Sequence, residues 1–179
     1  MLRPLGTGGR IRIWSAKSLM TPLFHKLNLG AHREIVVLDA PSSFEHELTA
    51  LEQVAIRRFV GKSARVQFVI AFVRTLAEVA AAAKAVLPKA IDDAVIWLAY
   101  PKGSSRRYRC EFNRDNGWAA FEHAGFETVR QVAIDDDWSA MRLRRLELVK
   151  KTSVAGRAPT PVKKPVAVNR RKDRSTDKR

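Results

Sequence analysis

The sequence predicts an α/β domain built on a mostly parallel, six-stranded sheet whose last strand is reversed. Three observations predict it. Short apolar runs alternate with helical stretches, the pattern of strands joined by crossover helices. The runs at 66–73 (VQFVIAFV) and 94–100 (AVIWLAY) are almost continuously apolar, as strands covered by helices on both faces are. The last two strand-like stretches, 126–134 and 141–149, are separated only by residues 135–140. A parallel crossover needs a dozen residues or more, so the final strand must run antiparallel to the one before it.

Each element follows in order. Residues 1–19 show no clear period and read as a disordered or mis-started extension; the GTGG at 6–9 follows no strand and is not read as a phosphate loop. Thr21 suits an N-cap, Pro22 the first helical position and Gly30 the stop. A strand at 34–40 (EIVVLDA) ends at Asp39, and Ser42 or Ser43 can cap a short helix over 44–51. The stretch 54–60 reads as a second strand, with Arg57 and Arg58 placing it near an edge, and Gly61–Ser63 as a turn. After the strand at 66–73, Thr75 caps an Ala-rich helix to Leu87, with Leu76, Val79, Ala80, Ala83, Val86 and Leu87 on one face. The fourth strand, 95–100, opens into the polar loop Lys102–Ser105, and RRYRCEFNR at 106–114 is basic and mixed. A helix at 117–123 stops at Gly125, followed by a strand at 126–134 and an acidic corner at Asp135–Ser139. The sixth strand, 141–149, alternates imperfectly and reads as more exposed.

The 179 residues fit one domain over 20–149 with appendages, and 46% hydrophobic content supports a core. Formal net charge is +15, unevenly spread. Residues 150–179 hold eleven Lys/Arg and two Asp, a net of +9, leaving +6 for residues 1–149. That tail has too little apolar surface to offset ordering entropy and reads as disordered when alone. Its Lys163, Lys164, Arg170, Arg171, Lys172 and Arg174 are candidates for weak, salt-sensitive binding of nucleic acid through phosphates. The single cysteine, Cys110, excludes an intramolecular disulfide and suits a reducing, cytoplasmic setting. No apolar run approaches the roughly 18 residues a membrane span needs, so no membrane partner is expected.

In open parallel sheets ligands sit beyond the carboxyl ends of the strands. Asp39, Ser42, Ser43, Arg74, the Lys102–Ser105 loop and the Asp135–Ser139 corner all belong at that end. Lys102, Gly103, Ser104 and Ser105 offer one cation, two hydroxyls and flexible backbone N–H groups to a small anion; the same text also serves as a solvated turn. Asp136, Trp138 and Ser139 are candidate ligand contacts in the corner, where a turn partnered by nearby arginines, and a tryptophan plugging the sheet end, are the structural alternatives. His25, His32, His46 and His123 are too dispersed to hold a metal, so none is assigned. Cys110 lies among arginines that would lower its pKa but has no base partner in view. No residue set is assigned a catalytic role.

The whole layout is that of a three-layer, Rossmann-like domain. Its ending of apolar strand, polar loop, helix closing on FEHAGF at 121–126, strand, tight corner and reversed strand resembles S-adenosylmethionine-dependent methyltransferases over residues 31–149. A closer resemblance is to a family of small uncharacterised bacterial proteins known only as a domain of unknown function, which look like trimmed relatives of that fold. It rests on TPLFHKLNL (21–29), EIVVLDAP (34–41), AYPKGSS (99–105) and VAIDDDWSAMRLRR (132–145), in that order. The likeness to methyltransferases implies a glycine-rich turn after the first strand and an acidic residue after the second. This chain has Asp39–Ser43 without glycine at the first place and RRFVGK (57–62) at the second. The expected function is therefore a non-catalytic or cryptic binding module for a small anionic ligand. A divergent S-adenosylmethionine-dependent methyltransferase and a nucleic-acid-associated protein acting through its tail are the alternatives.

Overall fold

The computed structural model describes residues 20–62 and 64–149. Expectations for residues 1–19, Ser63 and the 150–179 tail, with its candidate lysines and arginines, lie outside the described residues. Helix α1 spans Pro22–Lys26, where the Thr21 hydroxyl accepts from the Phe24 N–H at 3.2 Å. It closes earlier than the Gly30 stop because Asn28 and Gly30 both take left-handed backbone, φ +60° and +54°, turning the chain into β1 (Glu34–Leu38).

A 3₁₀ turn at Ser42–Phe44 leads into α2 (Glu45–Thr49). Neither Ser42 nor Ser43 caps α2: Phe44 holds its cap position and Pro41 that of the 3₁₀ turn, neither with a side-chain bond, and the Pro41 carbonyl accepts the Phe44 N–H at 2.9 Å. The strands β2 (Ala55–Arg57) and β3 (Val66–Phe72) follow, then α3 (Leu76–Val86). Its Thr75 hydroxyl accepts the Glu78 N–H at 3.1 Å while Glu78 reaches back to the Thr75 N–H, also at 3.1 Å, a reciprocal capping box. The buried face of α3 is Val79, Ala82, Ala83 and Val86, not the row through Leu76, which is 52% exposed, and Ala80, also exposed. Then come β4 (Ala90–Pro101), α4 (Ala119–Glu122), β5 (Phe126–Ala133) and β6 (Trp138–Arg145).

The described residues form an α/β fold with one mixed sheet, ordered β2-β1-β3-β4-β6-β5. The pairs β1·β2, β1·β3 and β3·β4 are parallel; β6 runs antiparallel to both β4 and β5. The reversed last strand agrees with the short link before it. Its place does not agree with the reading of an exposed strand over 141–149. Strand β6 begins at Trp138, lies between two neighbours and is largely buried, while β5 takes the edge. The hairpin folds inward because Trp138, Ala140, Met141 and Leu143 supply the apolar surface that β4 needs covered.

Alternate strand residues feed two apolar clusters. Val69, Ala71, Ile96, Leu98, Met141 and Leu143 join α3 and α4 in one. Ile35, Val37, Ile70, Phe72, Trp97 and Ala140 join Leu23, Phe24 and Leu48 of α1 and α2 in the other. In the second cluster the fully buried Trp97 donates its Nε1–H to the Leu27 carbonyl at 2.8 Å, tying β4 to the end of α1.

Candidate functional site

The carboxyl ends of β1 and β3 leave a cleft between them. The chain departs from β1 to β2 on one side, and β3 lies on the other, so this is the point where strand order reverses and crevices open. A cavity of about 250 Å³ sits there, lined by Asp39, Pro41, Ser42, Phe72, Arg74, Glu78, Tyr108 and Trp138. The strand ends deliver these side chains: Asp39 follows β1, Arg74 lies two residues past β3, and Trp138 opens β6 opposite Pro101 of β4.

Aromatic packing builds one wall. Trp138 meets Phe72 edge-on at 5.1 Å and Tyr108 at 4.9 Å between ring centroids. Trp138 is only 3% exposed, and its Nε1–H is buried with no hydrogen-bond partner among the described residues. A buried, unpaired donor is costly, so it marks a place where an acceptor would be favourable.

Charge occupies the rim. Asp39 sits at φ +54°, a left-handed conformation uncommon for residues with a Cβ. Its backbone thus makes the sharp turn that glycine usually supplies at such a strand end, while retaining a carboxylate. The exposed Arg74 guanidinium lies 3.7 Å from Glu78, but that carboxylate is already shared with the Arg74 and Thr75 N–H groups at 2.5 and 3.1 Å. The Leu76 N–H donates to Glu111 at 2.9 Å, so the start of α3 is already satisfied by carboxylates.

Of the residues singled out from sequence, Asp39, Ser42, Arg74 and Trp138 converge on this cleft. Ser43 does not line it; its carbonyl faces His46 Nδ1 at 2.7 Å. The Lys102–Ser105 loop does not open into it either. That loop closes on the acidic corner instead: Lys102 Nζ donates to the Asp135 carbonyl at 2.5 Å, Lys102 N–H to the Asp137 carbonyl at 2.8 Å, and Ser105 Oγ to the Asp137 carboxylate at 2.8 Å. Gly103 and Ser104 are an exposed turn. Asp136 is exposed on the corner, and Ser139 is buried in β6 opposite Tyr100. Asp135 Oδ1 accepts the N–H groups of Asp137 and Trp138 at 2.9 and 2.7 Å, which makes the corner a self-capped turn that presents Trp138.

Sequence reading missed Phe72, Glu78 and Tyr108. The T-x-x-E spacing from Thr75 to Glu78 was a usable signal for the capping box, but Tyr108 is hidden inside a basic run and only the fold turns it inward. Cys110 departs from expectation as well. Burial, with Glu111 and Glu78 as the neighbouring charges, pushes its thiol pKa up rather than down. Among the described residues no group of three or more His, Cys, Asp or Glu side chains is placed to hold a metal ion, and no helix is long and apolar enough to cross a membrane. No protein-family model matches this chain, and no curated protein matches it.

Proposed function

We propose that the chain is a three-layer, Rossmann-like binding module that takes a small anionic ligand in the cleft between the ends of β1 and β3. The observation that carries this reading is the convergence of Arg74, Asp39 and the Phe72–Tyr108–Trp138 wall at the reversal of strand order. Arg74 supplies a cation for a carboxylate or phosphate, and a flat group would lie on the aromatic wall. The Ser42 hydroxyl on the lining is available to orient it. A cavity of about 250 Å³ suits a single ring or a small acid better than a whole dinucleotide. The Lys102–Ser105 loop acts as a buttress, holding the corner that carries Trp138.

The test is a thermal-shift panel of adenosylmethionine, adenosylhomocysteine, NAD, nucleotides, simple carboxylates and inorganic phosphate, repeated on Arg74→Ala. A ligand at a hundred times its Kd adds about 2.7 kcal/mol, a shift of several degrees. The reading expects at least one anion to raise the melting temperature and Arg74→Ala to abolish that rise. A blank panel, or a rise that Arg74→Ala leaves intact, would overturn it.

Two observations favour a second reading, a divergent adenosylmethionine-dependent methyltransferase. The reversed strand after a helix, strand and acidic corner is present, and Asp39 supplies the left-handed turn despite the missing glycine. A shift confined to the two adenosyl compounds would select this reading.

A further inference from the structure

A second cleft, of about 490 Å³, lies away from the first, between the end of α1 and strand β5. Met20, His25, Lys26, Asn28, Gly30 and Arg130 line it, with no carboxylate among them. Arg130 donates to the Asn28 side-chain oxygen at 3.1 Å, a neutral partner that fixes its position without cancelling its charge. Directly across the strand pair from Arg130 stands Arg142. Like charges opposite one another in a sheet are destabilising. Asp93, the acid whose field reaches Arg142, offsets this only in part, because its carboxylate is held by Arg144 at 2.5–3.1 Å. Arg142 is half-buried, and its Nε–H has no hydrogen-bond partner among the described residues.

Lys26 and Arg130 beside an open cleft, with Arg142 across the strand pair behind Arg130, form an arrangement that an external anion would stabilise. The cations are spread along a helix end and a sheet edge rather than converging on one point. The chain that carries them has a formal charge of +15, with +9 of it in residues 150–179. We propose that this cleft binds the phosphodiester backbone of nucleic acid, with Lys26 and Arg130 contacting phosphates and Arg142 adding charge behind Arg130. The folded domain would then share in polyanion binding with the tail instead of leaving it to the tail alone. This inference is independent of the small-ligand cleft.

The experiment measures binding of the full chain to a short DNA duplex by fluorescence anisotropy across a salt series. The variants are Arg130→Gln, Lys26→Gln, the double variant and Lys84→Gln on the exposed side of α3, with inorganic pyrophosphate as a competitor. Each phosphate contact contributes a salt slope of about 0.9 in log–log terms. Arg130→Gln is therefore expected to lower the slope by about 0.9 and the affinity roughly eightfold at 0.1 M salt, the double variant by about twice that slope, and Lys84→Gln by nothing. Arg130→Gln should also melt no lower than the parent, since it removes a like-charge opposition. If Arg130→Gln proves unstable, Lys26→Gln on the helix side reads the same slope change. Unchanged slope and affinity in both variants would overturn the proposal and leave duplex binding to the tail. Arg130-dependent binding of millimolar pyrophosphate that leaves duplex binding untouched would also overturn it and mark a small-anion site.

Discussion

Asp39 takes a left-handed backbone that a β-branched residue adopts only at a cost of about 1–2 kcal/mol. Asp39→Val is therefore expected to destabilise the fold by about that amount in urea unfolding, and Asp39→Gly to leave it unchanged or slightly firmer. Equal stability of the valine variant would show that the turn relaxes. Gly117 makes a sharper case. At φ +94°, an added Cβ would lie 2.7–2.8 Å from Phe112 side-chain atoms. Phe112 cannot swing away, because it packs on Tyr100 and Trp118 at 5.8 and 5.3 Å. Gly117→Ala should cost about 1–3 kcal/mol through overpacking, read from the same unfolding curves. At Asp93, the hydrogen bond from Arg144 holds the carboxyl below its ordinary value. A depressed folded pKa gives stability that is present above the unfolded value, about 3.9, and lost as pH falls through the folded one. Asp93→Asn should thus make the loss of stability below about pH 4 shallower than in the parent. Identical acid limbs would rule out this role for the pair.

Among the elements, α3 shows how local chemistry and packing divide the work. Thr75 and Glu78 set its start by a capping box that four residues of sequence specify. Thr75→Ala should lower stability by about 0.5–2 kcal/mol, measured by thermal melting, and an unchanged melt would mean that Glu78 and Glu111 suffice to cap the helix. Which face α3 buries was less readable. Its run of alanines gives several near-equal apolar stripes, and contact with β3 and α4 selects Val79, Ala82, Ala83 and Val86. Strand β6 teaches a similar lesson. Its direction follows from a short link, but its inner position follows from the match between its apolar residues and β4. The Lys102–Ser105 loop was readable as a loop at the correct sheet end. Its closure onto Asp135 and Asp137 was not, because the two segments are 32–33 residues apart and meet only once β6 pairs with β4.

The whole molecule has apolar cores on the two sides of one sheet, coupled through strands such as β3 and β4 that feed both. Phe24 in one and Phe121 in the other are both fully buried. Phe24→Ala and Phe121→Ala should each lower stability by about 3–5 kcal/mol, and should do so on one shared cooperative transition. Two separate transitions would mean that the cores unfold independently. The sequence by itself determined the α/β class, the order of the elements, the parallel strands and the reversal at the end. Those follow from periodicity, turn residues and link lengths, which are properties of neighbouring residues. It also placed Asp39, Ser42, Arg74 and Trp138 near the carboxyl end of the sheet. Only the tertiary structure decided that β6 is internal, that Lys102 and Ser105 brace the acidic corner, that Tyr108 completes the aromatic wall and that Arg130 faces Arg142. Each of those depends on strand register and on which apolar faces meet, and such long-range pairings leave no period in the chain.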